Sequence, residues 1–311
     1  MSSVLYDIPG PKAKRRNLIF SAVFVVLFAL VAWWAIKLMG DTDQWVWAKW
    51  EPFLTADVWT TYLLPALANT LKAAALAMVI ALPLGAVLGI ARLSDHRWVR
   101  APATFIVELF RAIPVLILMV FANEYFSQYW SLTISSEVRP LYAVVTGLVL
   151  YNASVLAEIV RAGILSLPKG QTEAAKAIGL RKGQVMRSVL LPQAVTAMLP
   201  AIVSQLVVIL KDTALGGVML NFTELLNSRK TISGFFGNPI PTFIVIALIF
   251  VALNFALTSF AAWLEKRLRR AKKSTGAVLG AATGEEPPAA HLTAGGVRGS
   301  FGDGSGGGGG T

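Results

Sequence analysis

Six stretches of this chain stay apolar for as long as a helix needs to cross a lipid bilayer. A hydrocarbon core of about 30 Å takes about 20 residues at a rise of about 1.5 Å each. Such runs lie at about Leu18–Met39, Tyr62–Ala91, Ala101–Phe126, Leu141–Leu165, Leu191–Leu215 and Pro241–Leu264, the fifth interrupted by Lys211 and Asp212. Backbone N–H and C=O groups find no water in lipid, so each run must be helical. The expected fold is all-α, a polytopic membrane helical bundle of about six spans.

Composition closes off other classes. Of 311 residues, 55% are hydrophobic and only 14% charged, against about a quarter charged in soluble domains. There is no cysteine, hence no disulfide framework, thiol nucleophile or thiolate metal site. His96 and His291 are the only histidines and lie far apart, so no metal site and no catalytic residue is expected on this chain. The formal charge of +11 is accompanied by no nucleic-acid motif. The first run follows Lys12, Lys14, Arg15 and Arg16, as a secretory signal would, but it is too long and lacks a small-residue cleavage site. It reads as a retained anchor.

The basic residues fix the orientation. With six spans the two termini share a face. That face collects Lys12–Arg16, then Arg92, Arg97 and Arg100, then Arg161, Lys169, Lys176, Arg181, Lys182 and Arg187, and finally the Lys/Arg run from Lys266 to Lys273. The opposite face is rich in acids, among them Asp41, Asp43, Glu51, Asp57, Glu124, Glu137 and Glu224. Cytoplasmic segments carry the Lys/Arg excess, so both termini are expected in the cytoplasm, in a multi-pass plasma-membrane protein. Trp45, Trp47, Trp50, Trp59 and Trp130 fall at the outer boundary and Trp98 and Trp263 at the inner one. The organisation expected is a basic cytoplasmic N-terminus (1–17), a first transmembrane helix (18–39), a Trp-rich outer loop (40–61), a core (62–268) with a cytoplasmic loop (167–192), and a disordered Gly-rich tail (269–311).

One loop stands out. Leu167-Pro168-Lys169-Gly170 breaks the fourth run, and Gln171–Ile178 then favours helix, with Glu173 in its first turn facing the helix dipole. Gly179 is placed for a left-handed cap. Glu173-Ala174-Ala175, Gly179 and Val189-Leu190-Leu191-Pro192 resemble the EAA loop, E-A-A-x3-G-x9-I-x-L-P, of membrane subunits of binding-protein-dependent ABC importers. Glu108-Leu109-Phe110-Arg111-Ala112-Ile113-Pro114, Ala157–Gly163, Leu191–Ala194 and Leu210–Leu215 narrow the resemblance to polar amino acid permeases, closest in look to actinobacterial glutamate permeases. Val189, Ala112-Ile113 and Ala214 depart from the usual residues. The resemblance covers about Tyr62 to Leu268.

It implies a type I ABC importer transmembrane fold, and a loop in which Glu173, Ala174, Ala175, Gly179, Leu191 and Pro192 couple to an ATPase, the two alanines allowing close approach to the partner. It also implies ABC ATPase subunits, a second permease subunit (expected as a paralogue) and an extracytoplasmic substrate-binding protein. No G-x-x-x-x-G-K-[ST] phosphate loop is present, so no cofactor is expected here and ATP belongs to the partner.

Charges at membrane depth are costly and mark function or internal pairing. They are Lys72, Glu108, Arg111, Glu158, Lys211 and Asp212. Glu158 with Arg161, and Glu108 with Arg111, have the i,i+3 spacing of a helical ion pair. Lys211 and Asp212 are adjacent and point to different faces. Arg111, Glu158, Lys211 and Asp212 are the candidate pathway or gate residues, with Arg111 and Lys211 the cations an acidic substrate would need. Gly85 and Gly89 form a small-xxx-small stripe for close helix packing. Pro83, Pro114 and Pro192 would bend or end helices. The residues alone leave three rivals: an ATP-independent secondary transporter, which more often shows an internal repeat; a channel, which would show a filter loop; and a membrane enzyme, which would show a catalytic set. None of these features is visible.

Overall fold

The computed structural model describes residues 10–282, and every regular element among them is helical. The helices are α1 (Pro11–Asp41), α2 (Ala56–Ala91), α3 (Arg97–Ala112), α4 (Val115–Tyr129), α5 (Arg139–Leu165), α6 (Lys169–Ala177), α7 (Lys182–Met219), α8 (Ser228–Phe236) and α9 (Pro239–Ala282). Contacts divide the chain into two units, Met1–Arg267 and Leu268–Thr311; the first holds every element that bears on the site.

Among the described residues α1, α2, α5, α7 and α9 are long and apolar enough to cross a membrane, and α3 with α4 forms a sixth, broken span. The third apolar run is therefore not one straight helix. Its halves meet at 100°, because Pro114 has no N–H and disfavours helix at the residue before it. Ile113 is accordingly extended (φ −90, ψ 128). Pro65 and Pro192 meet the same problem differently. Each follows a Leu-Leu step, and just before each lies a π-helical turn, Trp59–Leu63 and Met186–Leu190. There the N–H of Leu64 reaches the Trp59 carbonyl and that of Leu191 the Met186 carbonyl. The extra residue shifts the bonding register, so the proline enters an unbroken helix. Pro192 does not end α7, and Pro83 stays inside α2.

The helix α5 is the centre: 67% of its apolar window is buried, against 33% for α2 and none for α1. Small residues permit this. A Cβ on Gly89 would stand 2.6 Å from the Ala157 carbonyl oxygen and 2.9 Å from the Val160 Cβ, and one on Gly85 would stand 2.6 Å from the Leu156 Cβ. The stripe read from the sequence thus sets the α2–α5 contact. In mid-span Gln205 of α7 donates to the Asn152 side chain of α5, both buried, a polar crosslink that lipid could not satisfy.

The Trp-rich segment is not a loose loop. Indole N–H groups of Trp45, Trp50 and Trp59 donate to the carbonyls of Ile36, Gln44 and Phe53. Lys49 donates to the Gly237 carbonyl, and Asn238 returns a bond to the Lys49 carbonyl, docking the segment on the α8–α9 turn. Two boundaries differ from expectation. Helix α1 starts at Pro11, behind Gly10 as cap, so the basic N-terminal residues lie on it. Helix α9 continues to Ala282, carried past residue 267 first by the good helix formers Leu268–Lys273; the expected tail from 269 is helical that far, and the remainder lies outside the described residues.

Gly89→Leu should separate α2 from α5 and cost about 1–3 kcal/mol, as overpacking does. Thermal unfolding in detergent checks this, with Gly170→Ala, where a Cβ meets nothing within 4 Å, expected to leave the transition in place.

Candidate functional site

Pro168 caps α6, its fixed φ of −57 and missing N–H suiting a helix start. Helix α6 begins at Lys169, before the expected Gln171, since Gly170 is held within the first turn rather than breaking it. Glu173 consequently sits beyond that turn, makes no dipole contact, and is exposed. The helix closes as the sequence suggested. Gly179 is left-handed (φ +85), its N–H donates to the Lys176 carbonyl at 2.9 Å, and the Leu180 N–H donates to the Ala175 carbonyl at 3.1 Å. Those two bonds are a Schellman cap. A Cβ at 179 meets nothing, so the demand for glycine is conformational: another L-residue would carry about 1–2 kcal/mol of strain.

The EAA residues do not share a face. Glu173 and Ala174 are exposed, whereas Ala175 is only 6% exposed. Ala175 is therefore covered within the chain, and Ala174 is the alanine left at the surface. Ile178, which the sequence reading passed over, is the C-cap of this short helix and 78% exposed. Leu191 packs with Leu167, Met186 and Leu190 around buried Val160, Ile164, Ala194 and Met198, rooting the loop on α5 and α7; Pro192 is exposed beside it.

The intramembrane charges fall into two groups. Arg111 and Glu158 come together in a cluster of five charges from three elements. Its hub is Arg92, at the end of α2, with a side chain only 8% exposed. One terminal nitrogen donates to Glu158 at 2.7 Å and the other to Glu108 at 2.8 Å. Arg161 holds Glu158 from the same helix at 2.9 Å. Arg111 lies 3.6 Å from Glu108 and 3.8 Å from Glu158, ion-pair contact without a hydrogen bond. Three guanidinium groups face two carboxylates, and Arg111 is the loosely held member. Both i,i+3 pairs expected from the sequence are present. Arg92 was missed as a partner because it lies one residue past an apolar run and counted only towards orientation; two membrane-depth acids on neighbouring helices were the signal for a shared cation.

Lys211 and Asp212 are not part of this cluster, and neither forms an ion pair among the described residues. Lys211 is exposed and borders an apolar groove of about 540 Å³ with Phe243, Ile246, Phe250 and Asn254 of α9. Lys72 is likewise exposed. No group of three or more His, Cys, Asp or Glu among the described residues could hold a metal ion.

At the opposite end from α6, Glu224 is fully buried and accepts N–H bonds from Leu226 (2.7 Å) and Asn227 (2.6 Å). Burial pushes its carboxyl up to about 7, although the two N–H bonds and Arg229 oppose the rise. It borders a pocket of about 210 Å³ with Thr61, Tyr62, Asn69, Thr223 and Ser228.

Residues 81–270 match the family described as binding-protein-dependent transport system inner membrane component. The chain is 48% identical over 228 residues to the glutamate transport system permease protein GluD of Corynebacterium glutamicum, spanning 73% of this chain and 82% of that protein. It is 32% identical over 205 residues to the probable glutamine ABC transporter permease protein GlnP of Bacillus subtilis, over 64% of this chain and 89% of that one. Among solved structures, a chain from an amino acid ABC transporter crystallised with histidines aligns with a TM-score of 0.62 at 27% identity, covering 69% of this chain and 98% of that chain.

The raised Glu224 carboxyl has a stability consequence. The folded chain holds this proton more tightly than the unfolded one, whose carboxyl titrates near 4.5. Its stabilisation is complete below pH 4.5 and is lost as pH rises through about 7, by at most about 3 kcal/mol. Thermal unfolding between about pH 5 and pH 8 should show this fall, and Glu224→Gln should flatten it.

Proposed function

Because the chain belongs to the family of binding-protein-dependent transport system inner membrane components, we propose that it is the permease subunit of an ATP-driven importer of a polar amino acid, with glutamate as first candidate. The observation that carries this reading is α6: a short surface helix, stopped at both ends, with Glu173, Ala174 and Ile178 exposed and its root packed between α5 and α7. Such a helix can seat in a cleft of an ABC ATPase. Closure of two ATPase subunits on ATP then draws two such helices together and biases the bundle between inward- and outward-facing arrangements. ATP hydrolysis is the partner's work.

The permease pair is a heteromer with a paralogue, and an extracytoplasmic binding protein delivers substrate to the face opposite α6. On this reading α6 and both termini lie in the cytoplasm of a bacterium, which the distribution of Lys and Arg supports. Glutamate is favoured by the likeness to GluD and by Arg111, a half-exposed guanidinium without a hydrogen-bonded carboxylate that suits an anionic side chain. Lys211 is the second cation for the pathway, with Glu158 and Asp212 flanking the two. An ATP-independent secondary transporter has no use for a surface helix of this form.

Glu173→Lys and Gly179→Trp should each abolish uptake in proteoliposomes that hold the whole transporter, while membrane insertion is unchanged. Wild-type, ATP-coupled uptake in both variants would overturn the coupling role of α6.

A further inference from the structure

The five residues between α2 and α3, Arg92–His96, are tied to both sides of the α6 loop. On one side Arg92 grips Glu158 of α5, seven residues before that helix ends at Leu165 and the loop begins. On the other side Lys182, the first residue of α7, donates to the Leu93 carbonyl at 3.0 Å and to the Asp95 carboxylate. That bond holds the Asp95 carboxyl below the usual carboxylate range. The α5–α6–α7 segment is thus closed into a ring, with the α2–α3 turn as its clasp.

The two ties differ in kind. Lys182 and Asp95 are largely exposed, and an exposed pair contributes little on its own; the added bond to the Leu93 carbonyl gives Lys182 a second hold on the same turn. Arg92 is nearly sequestered and divides its planar fork between two helices, which fixes it in two directions at once. Its second carboxylate, Glu108, lies on α3 five residues before the 100° bend at Ile113–Pro114.

We infer that Arg92 and Lys182 are positioning residues that make the α2–α3 turn move as one body with the α6 loop, passing its displacement to the α3–α4 bend. This rests on α6 being the element that meets the ATPase, and it adds a second route by which that contact reaches the pathway. Neither residue touches substrate or nucleotide. Their loss should uncouple the transporter, not silence its ATPase.

The test uses the complete transporter in proteoliposomes. Arg92→Gln should leave ATP hydrolysis within about twofold of wild type but lower glutamate uptake per ATP by about tenfold, a coupling loss of ordinary size. Arg92→Lys, which can reach one carboxylate at a time, should fall between them. Glu173→Lys, acting at the ATPase contact itself, should lose stimulated hydrolysis together with uptake, which separates failure of this inference from failure of the underlying reading. Because the chain has no cysteine, spin labels on His96→Cys and Gly183→Cys report the clasp directly, whether or not the Arg92 variants fold. Their distance distribution should be the same without nucleotide and with ATP, and should split by nucleotide state once Lys182→Ala is added. Wild-type uptake per ATP in Arg92→Gln, or a label distance that changes with nucleotide in a transporter retaining Lys182, would overturn the proposal.

Discussion

The sequestered guanidinium of Arg92 organises the end of this molecule where α2, α3 and α5 meet. A charge at that depth needs partners, and it finds them on two different helices. Removing a partner from such a pair leaves a charge facing a poor solvent, which costs more than the pair contributes when intact. The C-terminal parts of α2, α3 and α5 are therefore committed to one arrangement. The glycine stripe of α2 brings its backbone against α5 close enough for the Arg92 side chain to reach Glu158. Packing and electrostatics here specify the same helix contact.

That arrangement puts a charged cluster and the short surface helix α6 on the two ends of a short connection. Helix α5 carries Glu158 and Arg161, then runs directly into the loop that presents Glu173, Ala174 and Ile178. A push on α6 has little slack to absorb it: Pro168 fixes the entry, the Schellman cap at Gly179 fixes the exit, and Val160, Ile164, Ala194 and Met198 hold the root. The same stiffness makes the broken α3–α4 span a natural place for movement, since no backbone hydrogen bonds carry the helix through Ile113 and Pro114.

The apolar runs made the spans legible, because a lipid solvent leaves the backbone no alternative to helix. The loop was legible as well, since Gly179 and the Leu-Leu-Pro step are local signals with local causes. What the sequence hid was anything that depended on neighbours. Pro114 breaks its helix while Pro192 does not, and the difference is a π-turn that no propensity announces. Ala174 and Ala175 look alike in sequence, yet only the tertiary contact of α6 decides which one is covered. Arg92 and Lys182 read as basic loop residues because their partners lie 66 and 87 positions away. Glu224 read as one more acid of the outer face, until its enclosure beside Gly217 and its bonds from the Leu226 and Asn227 N–H groups made it a buried acceptor.

The central claim is that this chain moves its substrate only when a partner ATPase drives it through α6. Uptake of labelled glutamate by proteoliposomes containing the permeases, ATPase and binding protein tests it most directly, with ATP supplied or withheld on the ATPase side. The account predicts accumulation that begins with ATP and is absent without it. Accumulation that proceeds on an ion gradient alone, with no nucleotide present, would contradict it.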